Sequence, residues 1–135
     1  MKRATDKYDS ETLINAGFKV KPDMMWRLTS ELKQPIAILE EYRPNSRLFY
    51  APAFTLSLLL DSVPKFTSYG WFTIRYSHRA NSYLVGYVDD EDSFTKVYAM
   101  GDLLDAVFYL LLWTLKNPEV VTEGKKYIGA DEGDD

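Results

Sequence analysis

The sequence predicts an α+β fold: a two-layer domain whose antiparallel sheet has three strands, or four, with two or three helices packed on one face. Three observations lead there. Residues 71–77 and 82–88 carry alternating side chains on either side of a short polar loop, the pattern of a β-hairpin. Three other stretches, 5–16, 52–63 and 101–116, begin or end on helix signals. The hairpin creates one apolar face, and two helices are needed to cover it, which makes two layers.

A first helix is expected from Thr5 to Ala16. Asp6, Asp9 and Glu11 put negative charge at its amino end, where the helix dipole favours it, and Tyr8, Leu13 and Ile14 supply its apolar side. Gly17 can adopt the left-handed conformation that closes a helix, with Phe18 packing back over the last turn. Pro22, Pro35 and Pro44 forbid a long helix through residues 21–50. Within that stretch residues 24–29 read as a strand and Pro44-Asn45-Ser46-Arg47 as a turn. Residues 36–42 fit a strand or a helical turn, because a short apolar run has no decisive period. A second helix is expected to start at Pro52, whose missing N–H suits a first turn, and to end at Pro64. Phe54, Leu56, Leu58, Leu59 and Leu60 surround it with apolar groups, so it reads as buried.

The hairpin has a definite register. With Ser77 opposite Ser82 across the loop His78-Arg79-Ala80-Asn81, Tyr76 faces Tyr83, Ile74 faces Val85 and Phe72 faces Tyr87. All six fall on one face and are expected to be core, because side chains alternate along a strand. The other face pairs Arg75 with Leu84, Thr73 with Gly86 and Trp71 with Val88. Asp89-Asp90-Glu91-Asp92 then turns the chain into a third strand, Phe94 to Tyr98. The last helix is expected from Gly101 to Lys116, with Asp102 and Asp105 at its positive end and Lys116 at its negative end. Leu103, Val107, Leu110, Leu111 and Thr114 form its inner face. Asp102, Asp105, Tyr109, Leu112 and Lys116 form the outer stripe, with Trp113 at its border.

Composition bounds the function. With 135 residues, 46% apolar and 15% aromatic, the chain can build one core, so residues 1–117 are read as a single α+β domain and 118–135 as an acidic, flexible tail. There is no cysteine, which excludes a disulfide scaffold, a cysteine nucleophile and thiolate metal sites. One histidine excludes a multi-histidine metal site within the chain. The longest nearly unbroken apolar run, Ala106–Leu115, is 10 residues, where a spanning helix needs ~20, and residues 1–7 lack the apolar core of a signal peptide. No membrane association and a cytoplasmic location are therefore expected. The net charge of −4 is uneven: residues 1–88 hold 12 basic and 8 acidic groups, the remainder 4 and 12. That is too diffuse for the concentrated basic face of a nucleic-acid binder.

Leu13-Ile14-Asn15-Ala16-Gly17-Phe18 at the end of the first helix, Ala51-Pro52-Ala53-Phe54-Thr55-Leu56-Ser57-Leu58-Leu59-Leu60, the aromatic hairpin and the closing helix Met100–Leu115 follow one another in an order that resembles a group of small proteins of gut-bacterial prophages and other mobile elements. The likeness spans about residues 8–116 and lies in packing motifs. It implies an α+β fold and a mobile-element origin, with no known activity and no catalytic residue to transfer.

The candidate sites follow from residue chemistry. Asp89-Asp90-Glu91-Asp92 has the carboxylates a hard cation takes, but lacks the glycine and closing glutamate of a calcium loop, so it reads as a solvated turn. His78 has no nucleophile or orienting carboxylate near it in sequence. Glu40-Glu41 diverge, as adjacent residues do, and make no acid–base pair. No phosphate loop or nucleophile elbow is present. No enzyme, cofactor, metal or small-molecule substrate is expected. The reading is a protein-interaction module that binds a partner or itself as a homodimer, with Tyr109, Leu112 and Trp113 as interface candidates framed by charge. The alternative is a nucleic-acid-associated protein using Trp71, Arg75 and Arg79, a ring with basic neighbours of the kind single strands stack on.

Overall fold

A computed structural model of the chain describes residues 1–29 and 37–124. Ten named elements follow in order: α1 (Lys7–Asn15), β1 (Met24–Leu28), β2 (Ala37–Glu41), β3 (Phe49–Ala53), α2 (Leu56–Ser62), β4 (Phe66–Thr67), β5 (Gly70–Ser77), β6 (Ser82–Val88), β7 (Phe94–Met100) and α3 (Leu103–Lys116). The α+β class holds. The single sheet does not, because the strands form two antiparallel sheets, β2-β1-β3 and β4-β5-β6-β7. These lie in two compact units, one of residues 2–62 and one from Val63 onward.

In the first unit, α1 begins at Asp6, whose carboxylate accepts the Asp9 N–H, and ends where Gly17 takes φ +102°. There Phe18 N–H donates to Leu13 O and Gly17 N–H to Ile14 O, the paired bonds that satisfy the last carbonyls of a helix. The apolar side of α1 is narrower than expected: Leu13 and Ser10 are buried, whereas Tyr8 and Ile14 are exposed. Residues 24–28 are a strand as read, and the ambiguous 37–41 segment becomes β2, held to β1 with Trp26 opposite Leu39.

The second helix was misplaced. Ala51-Pro52-Ala53 belongs to β3, with Pro52 opposite Met25, and α2 starts only at Leu56. Proline is tolerated because β3 is an edge strand, where a missing N–H leaves no ladder partner unpaired. Thr55 makes the better start for α2, since its hydroxyl accepts the Leu58 N–H and its carbonyl the Leu59 N–H. Only Leu59 of α2 is fully buried, so it is not an all-round apolar helix.

Thr5 ties the first unit together. Its N–H donates to Phe54 O, its hydroxyl accepts the Phe54 N–H and lies 2.6 Å from the Ser10 hydroxyl, and its carbonyl accepts the Trp26 indole N–H at 2.7 Å.

In the second unit the expected hairpin register is observed pair for pair, from Trp71 opposite Val88 to Ser77 opposite Ser82. β7 pairs with β6 through a bulge at Tyr87/Val88. The fourth strand of this sheet is β4. Helix α3 is capped by Asp102, whose side chain accepts the Leu104 N–H, and covers the expected core face. Its Tyr109 stacks on Tyr98 and its Trp113 packs on Tyr87. Val85 and Tyr87 are buried there, but Ile74 and Tyr76 are 39% and 43% exposed, against the expectation that all six residues are core. The reason is width. One helix is ~10 Å across and strands are ~4.8 Å apart, so a helix seated over β6 and β7 leaves the far half of β5 uncovered. Only α3 among the named helices belongs to this unit, since α2 falls in the first.

Residues 118–124, expected as tail, turn through a further helical segment over 119–124. Val120 is buried and its carbonyl accepts the Ser68 N–H at 2.8 Å. Gly124 sits so close to Thr67 that a Cβ there would be 2.7 Å from its backbone. The rest of the expected tail, 125–135, lies outside the described residues. No helix among the described residues is long and apolar enough to cross a membrane.

Candidate functional site

The second unit contains an open cleft of about 470 Å³ at the β4 end of its sheet. It begins with a two-residue turn, Ser68-Tyr69, which joins β4 to β5. Gly70 closes this turn at φ +118°, and a Cβ there would lie 1.8 Å from Val88 O, so no other residue lets β5 start so near the end of β6.

The turn is held from several sides. Thr67 Oγ1 accepts the Tyr69 N–H at 3.1 Å, Val120 O takes the Ser68 N–H, and the Thr95 hydroxyl donates to Tyr69 O. Tyr69 is thereby presented with its ring edge-on to Trp113, 5.0 Å between centroids. Trp71, the first outward residue of β5 beyond the glycine, lies against Phe66 at 4.4 Å and remains 50% exposed. Phe66, Tyr69 and Trp71 are all part of the cleft lining, Trp71 with Phe66 on the outward face and Tyr69 against Trp113 of α3.

The lining also holds three carboxylates. Asp89 and Asp90 come from the β6–β7 turn and Glu123 from the helical segment 119–124. Asp89 is fixed because its Oδ1 accepts the N–H groups of Glu91 and Ser93, both at 3.0 Å, leaving its other oxygen outside those two bonds. Asp90 and Glu123 are exposed. Among the described residues no lysine or arginine is part of the lining. Among the described residues no group of three or more carboxylates and histidines converges as metal ligands do, and the acidic turn stays a turn.

The structure disperses the nucleic-acid candidates. Trp71 and Ser77 mark the two ends of the outward line of β5, six steps or ~20 Å apart, and Arg79 lies in the loop beyond. Arg75 is drawn to the acidic turn: its guanidinium pairs with Asp92 Oδ1 at 2.5 Å and lies over the Phe94 ring at 4.9 Å. The interface candidates also separate. Tyr109 is 41% exposed and Leu112 half-buried on the outer stripe of α3, while the Trp113 ring is turned into the unit between Tyr69 and Tyr87, with the Lys96 ammonium over it at 5.1 Å. His78 is exposed at the hairpin loop, its ring edge-on to Tyr76.

Trp71 and the acidic turn are both visible in the sequence, but as features of separate places. Their meeting depends on the glycine-closed turn and on Glu123 folding back, and Thr67-Ser68-Tyr69-Gly70-Trp71 was the signal for the former.

Comparison with protein-family models, with curated proteins and with solved structures found no match.

Proposed function

We propose that this protein is a cytoplasmic protein-interaction module with no catalytic role, and that the cleft of its second unit is the docking point for its partner. One observation carries the reading: rigidly presented aromatic rings, Tyr69 and the half-exposed Trp71, stand open to solvent in a concave site. Aromatic anchors in a pocket with a polar rim supply most of the energy in protein interfaces. A turn fixed by a glycine and several hydrogen bonds presents them already ordered, which lowers the entropic cost of binding. Self-association through Tyr109 and Leu112 on α3 is a second contact of the same kind. The mobile-element origin rests on the resemblance of residues 8–116 alone. Nucleic acid is the weaker reading, because Asp89, Asp90 and Glu123 beside Trp71 repel phosphate and Arg75 is paired.

The test is photo-crosslinking in the native host, with a benzophenone amino acid in place of Trp71 and, as control, in place of the exposed Tyr8. Discrete protein adducts from position 71 alone are expected. Nuclease-sensitive adducts support nucleic acid instead, and identical, diffuse labelling from both positions refutes docking at the cleft.

A further inference from the structure

Resting on the self-association read for α3, we propose that two copies of the chain join by pairing β7 with β7 across a two-fold axis at Tyr98, with the two α3 helices side by side on the sheet so formed. The fold leaves β7 open. Among the described residues no strand pairs with its outer side, and it is the long edge of its sheet, seven residues against two for β4. Open strand edges are ordinarily guarded by short length, by proline or by charge. β3, an edge of the other sheet, carries Pro52. β7 has no proline, and its one charge, Lys96, is drawn over the rings of Tyr98 at 4.8 Å and Trp113 at 5.1 Å.

The register follows from the bulge. Thr95 has no residue opposite it on β6, so the regular part of β7 is Lys96–Met100, and Tyr98 is its midpoint. An axis there uses the whole regular run: Tyr98 faces Tyr98 of the second copy, Val97 faces Ala99 and Lys96 faces Met100. An axis at Lys96 would instead set two ammonium groups opposite each other, which is destabilising. Val97 and Ala99 are exposed on the sheet face away from α3, so this pairing also brings uncovered apolar groups together.

Helix α3 makes a second copy the occupant. Tyr109 stacks on Tyr98 at 5.9 Å between centroids and is 41% exposed. It is the midpoint of the outer stripe, with Asp102 seven residues before it and Lys116 seven after. An axis beside Tyr98 and Tyr109 sets the acidic start of one α3 against the basic end of the other, which suits both charge and helix dipole. The spacing agrees. α3 packs on β6 and β7, and a helix centred between those strands lies ~4.8 Å from the axis. The two helices are then ~10 Å apart, the distance at which helices pack. A strand from an unrelated partner supplies no such matching stripe.

The test is sedimentation equilibrium of the full chain between ~1 μM and ~1 mM, with hydrogen exchange of the 96–100 amides at both ends of that range. A reversible dimer is expected, with those amides protected at least ~10-fold more at the high concentration and the β5 amides unchanged. Val97→Lys with Ala99→Lys places like charges opposite each other twice and should weaken the dimer at least ~10-fold; Val97→Lys with Ala99→Glu places opposite charges there and should recover it to within ~3-fold of the parent. Both positions are exposed, circular dichroism checks that each variant keeps its fold, and the exchange measurement needs no substitution. A dimer indifferent to the paired lysines, equal weakening by both double variants, or exchange at 96–100 that does not change with concentration overturns the edge pairing. A dimer lost with Tyr109→Glu yet indifferent to both β7 variants would join through α3 alone, leaving self-association standing without β7. A chain still monomeric at ~1 mM refutes self-association itself and the edge pairing with it.

Discussion

Adding one methyl group at Gly86 should open the sheet of the second unit. Gly86 sits in the middle of β6, opposite Thr73 on one side and Val97 on the other. A Cβ built there lies 1.9 Å from Lys96 O and 2.8 Å from Val97 Cα. A carbon–oxygen contact is comfortable near ~3.3 Å, so β6 and β7 must part locally by about 1.4 Å. Parting costs the ladder hydrogen bonds beside the glycine, two at ~1 kcal/mol each. Overpacking of a buried site adds ~1–3 kcal/mol. Gly86→Ala should therefore destabilise the unit by about 3–5 kcal/mol, a fall in Tm of at least ~12 °C for a unit of this size. Gly101→Ala is the matched control: nothing lies within 4 Å of its added carbon, and it should be neutral or stabilising by ~0.4–1 kcal/mol through the unfolded state. Thermal and urea unfolding followed by circular dichroism measures both. A Gly86→Ala protein within ~0.5 kcal/mol of the parent would refute the close approach of the two strands.

Burial raises the Tyr87 phenol well above the usual tyrosine range, and its O–H donates to Pro64 O at 2.8 Å. Its folded pKa exceeds its unfolded one, so its contribution is fully present below the unfolded value of ~10 and is lost as pH rises beyond it. Tyr87→Phe should lower stability by ~1 kcal/mol at neutral pH and flatten the alkaline loss, read as urea midpoint against pH; an unchanged alkaline slope counts against this. Val85→Ala and Ile74→Ala delete methyl groups from facing residues on one sheet face. The buried valine should cost ~2–3 kcal/mol and the partly exposed isoleucine ~1 kcal/mol, although isoleucine loses more atoms; the reverse order in urea unfolding would return Ile74 to the core.

The hairpin was readable because its information is local and redundant. Ser77 and Ser82 flank the loop, and a slip by one residue would send Phe72, Ile74 and Tyr76 to the other face at once. The end of α1 was equally plain, since Gly17 and Phe18 bond to carbonyls three and five residues back, whereas Asp6, read only as charge favoured by the helix dipole, is in fact the cap. Pro52 misled because proline suits both a helix start and an edge strand, and only pairing with Met25 decides between them. The division at Ser62/Val63 left no mark in composition, for the segment joining the units contains no run of glycine or serine. Of the cleft, each residue type was visible but not the convergence. Gly70 and Val120 bring Trp71, Asp90 and Glu123 together over separations that no periodicity spans.

The bonds around Thr5 impose a timetable on synthesis. The hydroxyl of Thr5 meets the Phe54 N–H across 49 residues of chain, and closing such a loop costs ~3–4 kcal/mol before the contact is made. While the protein is being made, α1 can form its own turns and cap, but the partners that fix its start lie at the far end of the same unit. Trp26 emerges earlier, yet its indole gains an acceptor in register only when Thr5 is itself anchored by Phe54. The anchor of the amino-terminal segment is therefore completed only once Phe54 has been made, although α1 and the β1–β2 pair consist of residues synthesised earlier.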